Sequence, residues 1–237
     1  MLRRIYILLL GLLLILSTIV LYSNVNTKTV SADFVGNRDN TTIVIDCGHG
    51  GEDGGAVSAN GTVEKDINLK IGLTLKSLFM QNGFKVVMIR ETDKAIYSAS
   101  AESLKDKKVS DLHNRSDICN SSQENIYISI HQNKFEESKY RGSQVFYSPN
   151  LQESKLLAES VRVAIKGLLQ NDNERQCKEA SSDIYILDKA QVPAILVECG
   201  FLSNPEEETL LNQENYQNQI AFSIYCGFLE FYNNNFR

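Results

Sequence analysis

The sequence predicts an α/β domain in which helices cover both faces of a largely parallel, twisted sheet. Two observations support this fold class. Short runs of β-branched and other apolar residues alternate with segments of helical periodicity. The chain has 237 residues, of which 43% are hydrophobic, and can therefore bury a sizeable core. Such an alternation favours parallel strands joined by helical crossovers, and no internal repeat or second linker interrupts it.

Five runs are predicted to be strands because they are short, apolar and rich in β-branched or aromatic residues. The predicted strands are residues 42–45, 84–89, 126–130, 143–147 and 194–197. Their continuous apolar character is typical of strands buried on both faces of a sheet.

Helices are predicted between these runs and at the C-terminus. Between the first two strands, apolar residues recur at helical spacing, and Asn82-Gly83 supplies a C-terminal stop. Another helix should begin at about Leu151, with Asn150 as its N-cap and Glu153 in its first turn. A last helix carries one apolar stripe, formed by Ile220, Ile224, Phe228 and Phe231. Residues 91–111 are charged and lack a clear period, which favours a long surface loop.

The N-terminus is predicted to be a signal anchor. Residues 5–22 form an uncharged apolar stretch that as a helix would span roughly 27 Å, just enough to cross a bilayer. Arg3 and Arg4 precede it, so the positive-inside rule places the remainder outside the cytoplasm. Val30-Ser31-Ala32 fits a signal-cleavage pattern, which leaves secretion after cleavage as an alternative. We therefore expect an anchor over residues 1–22, a polar stem over 23–40 and an exported folded domain over 41–237.

Charge and cysteine content narrow the functional classes. The chain has 24 Lys and Arg against 29 Asp and Glu, a net charge of −5, which disfavours a nucleic-acid partner. Its five cysteines are odd in number, widely spaced and without a C-x-x-C pair, which disfavours a zinc knuckle or redox motif. We expect them to be free, buried thiols.

Two of the three histidines follow predicted strands directly. His49 comes just after the first strand, His131 directly follows the third, and Glu198 stands at the end of the fifth. Ligand sites in open α/β sheets lie outside the carboxyl ends of parallel strands, so these three side chains should meet at one edge. His113 lies in a charged segment that is expected to be helical and is assigned a structural role.

Two imidazoles and a carboxylate fit a catalytic zinc site that leaves a fourth position for water. Glu64 opens the first predicted helix and can supply the carboxylate, although a favourable charge in a helix's first turn explains it equally well. Glu198 would then remain unligated and could carry protons. The glycines around His49 match neither phosphate-loop nor dinucleotide spacing, which disfavours a phosphate cradle.

Four ordered motifs resemble those of the zinc-dependent N-acetylmuramoyl-L-alanine amidases. The resemblance covers residues 41–232 and is closest to the germination-specific enzymes of endospore-forming bacteria. The motifs are Ile43-Val44-Ile45-Asp46-Cys47-Gly48-His49-Gly50-Gly51 with Asp53-Gly54-Gly55, Glu64-Lys65-Asp66, Ile128-Ser129-Ile130-His131-Gln132-Asn133, and Val197-Glu198-Cys199-Gly200-Phe201-Leu202-Ser203-Asn204.

The resemblance implies that His49, Glu64 and His131 bind one Zn²⁺ per chain and that Glu198 is the general base and acid. The reaction it implies is hydrolysis of the amide between the lactyl group of N-acetylmuramic acid and L-alanine in peptidoglycan, by attack of zinc-bound water. In the germination-specific enzymes this step precedes muramic lactam formation in the spore cortex. Residues 41–237 would then be the catalytic domain.

Other residues are expected to support this chemistry. Asn133, Arg90 and Arg115 are candidate substrate contacts, because stem peptides carry carboxylates that a guanidinium can bind in bidentate fashion. Cys47 stands where the family usually has proline, and strand alternation predicts that its thiol points away from the metal.

Two other functional classes remain open on sequence grounds. A zinc peptidase or carbohydrate deacetylase could use the same metal geometry, and a wall-binding or partner-regulating protein could keep the site with little turnover. The partners expected are peptidoglycan, the membrane through the N-terminal segment, and an accessory regulatory protein.

Overall fold

Six strands form one sheet in the computed structural model, which describes residues 40–236. The predicted membrane anchor and almost all of the predicted stem lie outside these residues. Within residues 40–236, none of the helices combines the length and apolar character that a membrane span requires. The strands are β1 Thr42–Cys47, β2 Lys85–Met88, β3 Asn125–Asn133, β4 Gln144–Tyr147, β5 Lys178–Glu179 and β6 Ala194–Phe201.

The sheet is largely parallel, as the alternation of strands and helices predicts. Its strand order is β2-β1-β3-β6-β4-β5, and only the β4–β6 pair is antiparallel. All five predicted strands are present, and β3 and β6 run several residues further than the apolar pattern indicated. The two-residue strand β5 was not predicted, because so short a segment shows no periodicity.

Six helices complete the part of the chain that the structure describes. They are α1 Glu64–Gln81, α2 Leu104–Cys119, α3 Gln152–Leu168, α4 Tyr185–Lys189, α5 Pro205–Leu211 and α6 Glu214–Asn235. The three helices predicted from apolar periodicity correspond to α1, α3 and α6. The short helices α4 and α5 were not predicted.

The predicted surface loop over residues 91–111 is wrong from Leu104 onwards, where α2 begins. Ser103 caps this helix, and Asp106 completes a reciprocal capping box with it. The helix buries only Arg115, Ser116 and Cys119. Its face therefore lacks the apolar stripe on which the sequence prediction depended. His113 lies within α2, as expected.

The predicted cap of α3 is also wrong. The N-cap position is Leu151, and its side chain makes no capping hydrogen bond. Asn150 instead donates through Nδ2 to the carbonyl oxygens of Asp188 and Ala190, at 2.9 Å each. Its amide thus holds the C-terminal end of α4 against the start of α3.

The apolar core lies on both faces of the sheet. Alternation along β1 directs Ile43 and Ile45 to the side covered by α1, α3 and α6, and Val44 to the side covered by α2 and α4. The first layer is the larger, because α6 packs against both α1 and α3. This two-sided burial explains why the strands are almost continuously apolar.

The five cysteines are all free, as expected. Cys47, Cys119 and Cys199 are buried, whereas Cys177 and Cys226 are only partly buried. The Cys47 thiol points into the core beside Gly72 of α1, where a Cβ atom at Gly72 would lie 2.2 Å from Sγ. Strand alternation thus turns this thiol away from His49, as predicted.

Candidate metal centre and active site

His49 lies just beyond the end of β1, in a tight glycine-rich turn. Gly50 and Asp53 exchange main-chain hydrogen bonds of 2.9 and 3.2 Å, which close the turn. His49 itself has a φ of 64°, the one positive value among non-glycine residues of the described chain. Because this left-handed conformation is unfavourable for a histidine, the surrounding contacts must hold it.

His131 and Glu198 are brought side by side by strand pairing. They are direct partners in the parallel register between β3 and β6. Both side chains therefore project from the same face of the sheet at neighbouring positions. The prediction that strand ends bring these residues together is confirmed.

Glu64 lies between the two histidines. Its Oε2 atom is 3.3 Å from His49 Nε2, and its Oε1 atom is 2.9 Å from His131 Nδ1. One potential ligand atom from each of the three residues falls within 4.8 Å of the others. This distance is small enough for one ion to contact all three groups, which form the best candidate metal centre in the described chain.

Neighbouring groups hold the ligand candidates in place. Asp53 Oδ2 is 2.9 Å from His49 Nδ1, which leaves Nε2 directed at the cluster. The Glu64 carboxylate accepts hydrogen bonds from the main-chain N–H groups of Ala56 and Gln132, at 2.8 and 3.0 Å. A carboxylate on the second nitrogen of a histidine is typical of metal sites. Sequence analysis did not identify Asp53 as such a support, although its position four residues after His49 is visible in the motif.

Two glycines make room for these side chains. A Cβ atom at Gly48 would lie 2.2 Å from the His131 ring, and one at Gly55 would lie 2.6 Å from Glu64 Oε2. The glycine-rich turn therefore packs directly against the candidate ligands. This close packing is a physical reason for its composition.

The electrostatic environment favours a cation at the cluster. Burial alone lowers the pKa of His49, but the carboxylates of Asp53 and Glu64 outweigh it and raise that pKa to about 9. Hydrogen bonds and charge from the two histidines hold the pKa of Glu64 well below its usual range, against the effect of burial. The donor set, two imidazoles and one carboxylate, fits Zn²⁺.

Glu198 differs from Glu64 in that one of its two carboxylate oxygens lacks a hydrogen-bond partner in the described part of the chain. Its Oε2 atom is buried and has no hydrogen-bond partner among the described residues. Burial is the main reason that its pKa is raised to about 7; the charge of His131 opposes this shift and the charge of Glu64 adds to it. Near neutral pH, such a carboxyl group can both accept and donate a proton.

The two arginines predicted to contact substrate are buried and bind the His49 turn. Arg90 is 1% exposed and donates to four main-chain carbonyls, including those of Cys47 at 2.7 Å and Gly48 at 3.1 Å. Arg115 is 2% exposed and donates to the carbonyl of His49 at 2.8 Å. These contacts support the turn, and Arg115 also lines the cavity that contains His49 and His131.

The remaining predicted residues lie in different surroundings. Asn133, two residues beyond His131 on β3, lines a cavity that adjoins this edge of the sheet. His113 packs its ring against Tyr185, with centroids 5.2 Å apart, and takes no part in the cluster. Its assignment to a structural role agrees with this contact.

The sheet gathers two imidazoles and a carboxylate at its carboxyl edge, beside a second buried carboxyl group. This arrangement is typical of metal-dependent hydrolases. The model of the N-acetylmuramoyl-L-alanine amidase family matches residues 43–230. The chain belongs to this family, whose members hydrolyse the amide between N-acetylmuramic acid and L-alanine in peptidoglycan.

Individual relatives agree with the family assignment. The chain is 35% identical over 190 residues to the germination-specific N-acetylmuramoyl-L-alanine amidase of Bacillus subtilis. The matched segment covers 80% of this chain and 79% of the relative. It is 40% identical to the CwlD amidase of Clostridioides difficile, solved in complex with the GerS lipoprotein, with a TM-score of 0.79 over 82% of this chain and 100% of that one. An N-acetylmuramoyl-L-alanine amidase of Clostridium difficile 630 is 32% identical, with a TM-score of 0.71 over 82% and 97% of the two chains.

Proposed function

We propose that the protein is a zinc-dependent amidase in which His49, Glu64 and His131 hold one Zn²⁺ ion and Glu198 transfers protons. The observation that carries this proposal is the cluster of three ligand candidates within 4.8 Å. Glu198, whose Oε2 atom lacks a hydrogen-bond partner within residues 40–236, lies beside this cluster because it is in register with His131. Bound there, the ion would supply Lewis acidity toward the substrate carbonyl and would lower the pKa of water.

Glu198 accounts for both proton transfers of the reaction. As a carboxylate, it takes a proton from the attacking water as a C–O bond forms at the lactyl carbonyl. As a carboxylic acid, it then gives that proton to the departing nitrogen of L-alanine when the C–N bond breaks. Its raised pKa suits both steps near neutral pH.

Arg90 and Arg115 contribute through the turn that presents His49. Their guanidinium groups donate to the carbonyls of residues 47–49 and hold the strained conformation of His49. Asn133 lines the adjoining cavity and Arg115 lines the cavity that contains His49 and His131, so both remain candidate substrate contacts.

We infer a role in maturation of spore-cortex peptidoglycan, before muramic lactam forms, from the similarity to germination-specific relatives. The protein would act outside the cytoplasm, anchored by residues 5–22 or released after cleavage, as the sequence pattern indicates. The relative from Clostridioides difficile was solved with a lipoprotein. An accessory protein is accordingly proposed as a partner for this chain.

Replacement of Glu198 by Gln tests the catalytic assignment. The variant keeps the size of the side chain but cannot accept a proton, so we expect turnover to fall by about 10² to 10⁴-fold while the zinc content stays unchanged. Glu153→Gln, on the exposed surface of α3, serves as the control. Mass spectrometry of digested peptidoglycan measures free N-terminal alanine and stem-free muramic acid.

Three results would count against this function. Undiminished hydrolysis by Glu198→Gln would remove that residue from the mechanism. Cleavage of peptide–peptide bonds, or release of acetate, by the wild type would identify a peptidase or a deacetylase instead. Zinc-loaded wild-type protein that leaves every linkage intact would indicate a binding protein.

A further inference from the structure

A second feature of the active-site edge is a cavity of about 250 Å³ next to the metal centre. It adjoins the centre through strand register, since Asn133 pairs with Phe201, and Gln144 pairs with Glu198. We call this cavity the basic pocket. Its wall includes Asn133, Tyr140, Gln144, Arg175, Lys178 and Phe201.

The charge of the basic pocket is opposite to that of the whole chain. Its wall contains two basic side chains, Arg175 and Lys178, and no acidic one. The protein as a whole carries a net charge of −5. Within residues 40–236, neither Arg175 nor Lys178 forms an ion pair with a carboxylate. Two cations without carboxylate partners favour an anionic ligand.

Arg175 is held in position by its neighbours. Its Nε atom donates to the carbonyl of Arg141 at 2.9 Å, and its guanidinium carbon lies 4.7 Å from the centre of the Phe201 ring. Tyr140 lies on the same group, with 6.0 Å between Cζ and the ring centre. An arginine that is stacked and tethered through Nε keeps its two terminal nitrogens for bidentate contact with a planar anion.

The nearby charge of Arg175 stabilises the carboxylate of Glu207, but the hydrogen bonds of Glu207 come from other groups. It accepts hydrogen bonds from the main-chain N–H groups of Gly142 and Phe201, at 2.9 and 2.8 Å. Its contacts thus fix the loop beneath Arg175 and leave the guanidinium without a direct acidic partner.

The spacing between the metal centre and the basic pocket fits a peptide. Asn133 lies two residues beyond His131, which corresponds to about 7 Å along β3, although the pairing of β3 with β6 shifts register between these residues. An extended peptide also covers about 7 Å in two residues. A stem peptide that leaves the metal centre in this direction reaches the pocket within its first residues.

We propose that the basic pocket binds a carboxylate of the stem peptide, with Arg175 as its bidentate donor and Lys178 as a second cation. The inference rests on the proposed function and adds a specificity site to it. A neutral sugar could stack on Tyr140, but it would leave two cations without a counter-charge. A carboxylate supplies that counter-charge to both Arg175 and Lys178.

The experiment compares Arg175→Gln with the wild type on two matched muropeptides. One carries free carboxylates on its stem peptide, and in the other these are amidated. We expect the variant to raise KM about tenfold for the free-acid substrate, with kcat unchanged and the amidated substrate little affected, because charge-assisted hydrogen bonds are lost. Lys178→Gln should show a smaller effect of the same kind. The KM of Arg175→Lys should lie between those of the wild type and Arg175→Gln, since lysine keeps the charge but loses the bidentate donors of the guanidinium.

Arg141→Gln is the matched control. Arg141 is an exposed neighbour that is ion-paired with Asp172 at 3.0 Å and does not line the basic pocket. Its loss removes a nearby positive charge without touching the proposed contact. We expect KM to change less than about twofold for either substrate, as is usual for an exposed ion pair. Thermal unfolding of each variant checks that the fold is intact.

Calorimetric titration of the full-length protein with the isolated stem peptide, in free-acid and amidated forms, separates this inference from the proposed function. Stronger binding of the free acid, weakened in Arg175→Gln, supports the pocket even if no amide is hydrolysed. The inference is overturned if the active wild type has the same KM for both forms, or if Arg175→Gln changes KM equally for both. Either result leaves the proposed amidase activity intact. An equal effect would point to sugar stacking instead.

Discussion

At the scale of single residues, Asp46 connects the groups that support His49. It accepts hydrogen bonds from Arg115, from the Tyr127 hydroxyl and from the Ser129 hydroxyl, the last at 3.2 Å. Arg115 in turn donates to the carbonyl of His49. This buried network therefore links β1, α2 and β3 directly beneath the metal centre.

The network determines the charge state of Asp46. Burial by itself raises the pKa of Asp46, but Arg115 and Tyr127 outweigh it and hold that pKa below its usual value. A carboxylate with a lowered folded-state pKa contributes stability above the unfolded-state pKa of about 4. That contribution is lost as the pH falls through the folded-state pKa.

Asp46→Asn tests this linkage. At pH 7 the variant should lose about 3 kcal/mol of unfolding free energy, because Arg115 keeps its buried charge but loses one carboxylate. Below about pH 4 the gap between variant and wild type should begin to narrow, because Asp46 of the unfolded wild type then takes up a proton. The gap should narrow further as the pH falls through the lowered folded-state pKa of Asp46. Urea unfolding at a series of pH values measures this gap. Asp117→Asn, at an exposed position of α2, is the control. A gap independent of pH would contradict the assignment.

At the scale of helices and strands, the close packing of α3 against α6 depends on Gly227. A Cβ atom at this position would lie 2.4 Å from the Cα of Val161 and 2.7 Å from the carbonyl oxygen of Ser160. Both contacts are with backbone, which cannot move aside as a flexible side chain can. Only glycine fits without separating the helices.

Gly227→Ala should therefore destabilise the protein by about 1–3 kcal/mol, the usual cost of overpacking a core. Gly167→Ala, on α3, is the control, because it should change the stability in the opposite direction. A Cβ atom at Gly167 would meet no heavy atom within 4 Å, and alanine should gain roughly 0.5–1 kcal/mol there through better helix propensity. Chemical denaturation of both variants measures the two effects. Equal effects would show that helix propensity alone decides the outcome.

Helix α2 shows why the first turns of a helix with a polar sequence escape prediction. Its buried side chains include Arg115 and Ser116, and Arg115 acts through hydrogen bonds and not through an apolar stripe. Periodicity detects helices that bury apolar faces. A helix that uses an arginine to hold a neighbouring turn gives no such signal.

At the scale of the whole molecule, the candidate metal centre joins three separate parts of the fold. His49 follows β1, Glu64 begins α1, and His131 lies in β3. An ion held by all three would bind the folded chain and not the unfolded one. Its binding free energy would then add to the stability of the domain.

Removal of the ion should lower the unfolding temperature of the whole domain. With free zinc at about 1,000 times its Kd, binding stabilises a protein by about 4 kcal/mol, and a chelator removes that amount. Scanning calorimetry of the wild type with zinc and with chelator measures the shift. His131→Ala should lose the response, whereas His113→Ala should keep it, because His113 packs against Tyr185 outside the centre. An unchanged response in His131→Ala would exclude that residue as a ligand.

The sequence by itself determined the α/β class, the five longer strands and the three main helices. It also determined that His49, His131 and Glu198 meet at one edge, and the motifs indicated Glu64. These inferences succeed because strand and helix periodicity are local, and because parallel strands bring their carboxyl ends together by geometry alone.

Only the tertiary structure decided where the remaining polar groups point. Arg90 and Arg115 turn inward to the His49 turn, and Arg175 stacks on Phe201 beside the metal centre. The basic pocket joins residues that are far apart in the chain. Their contacts depend on how β4, β5 and the loops pack at the sheet edge. Such long-range packing leaves no periodic trace in the sequence, which is the physical reason that prediction stopped there.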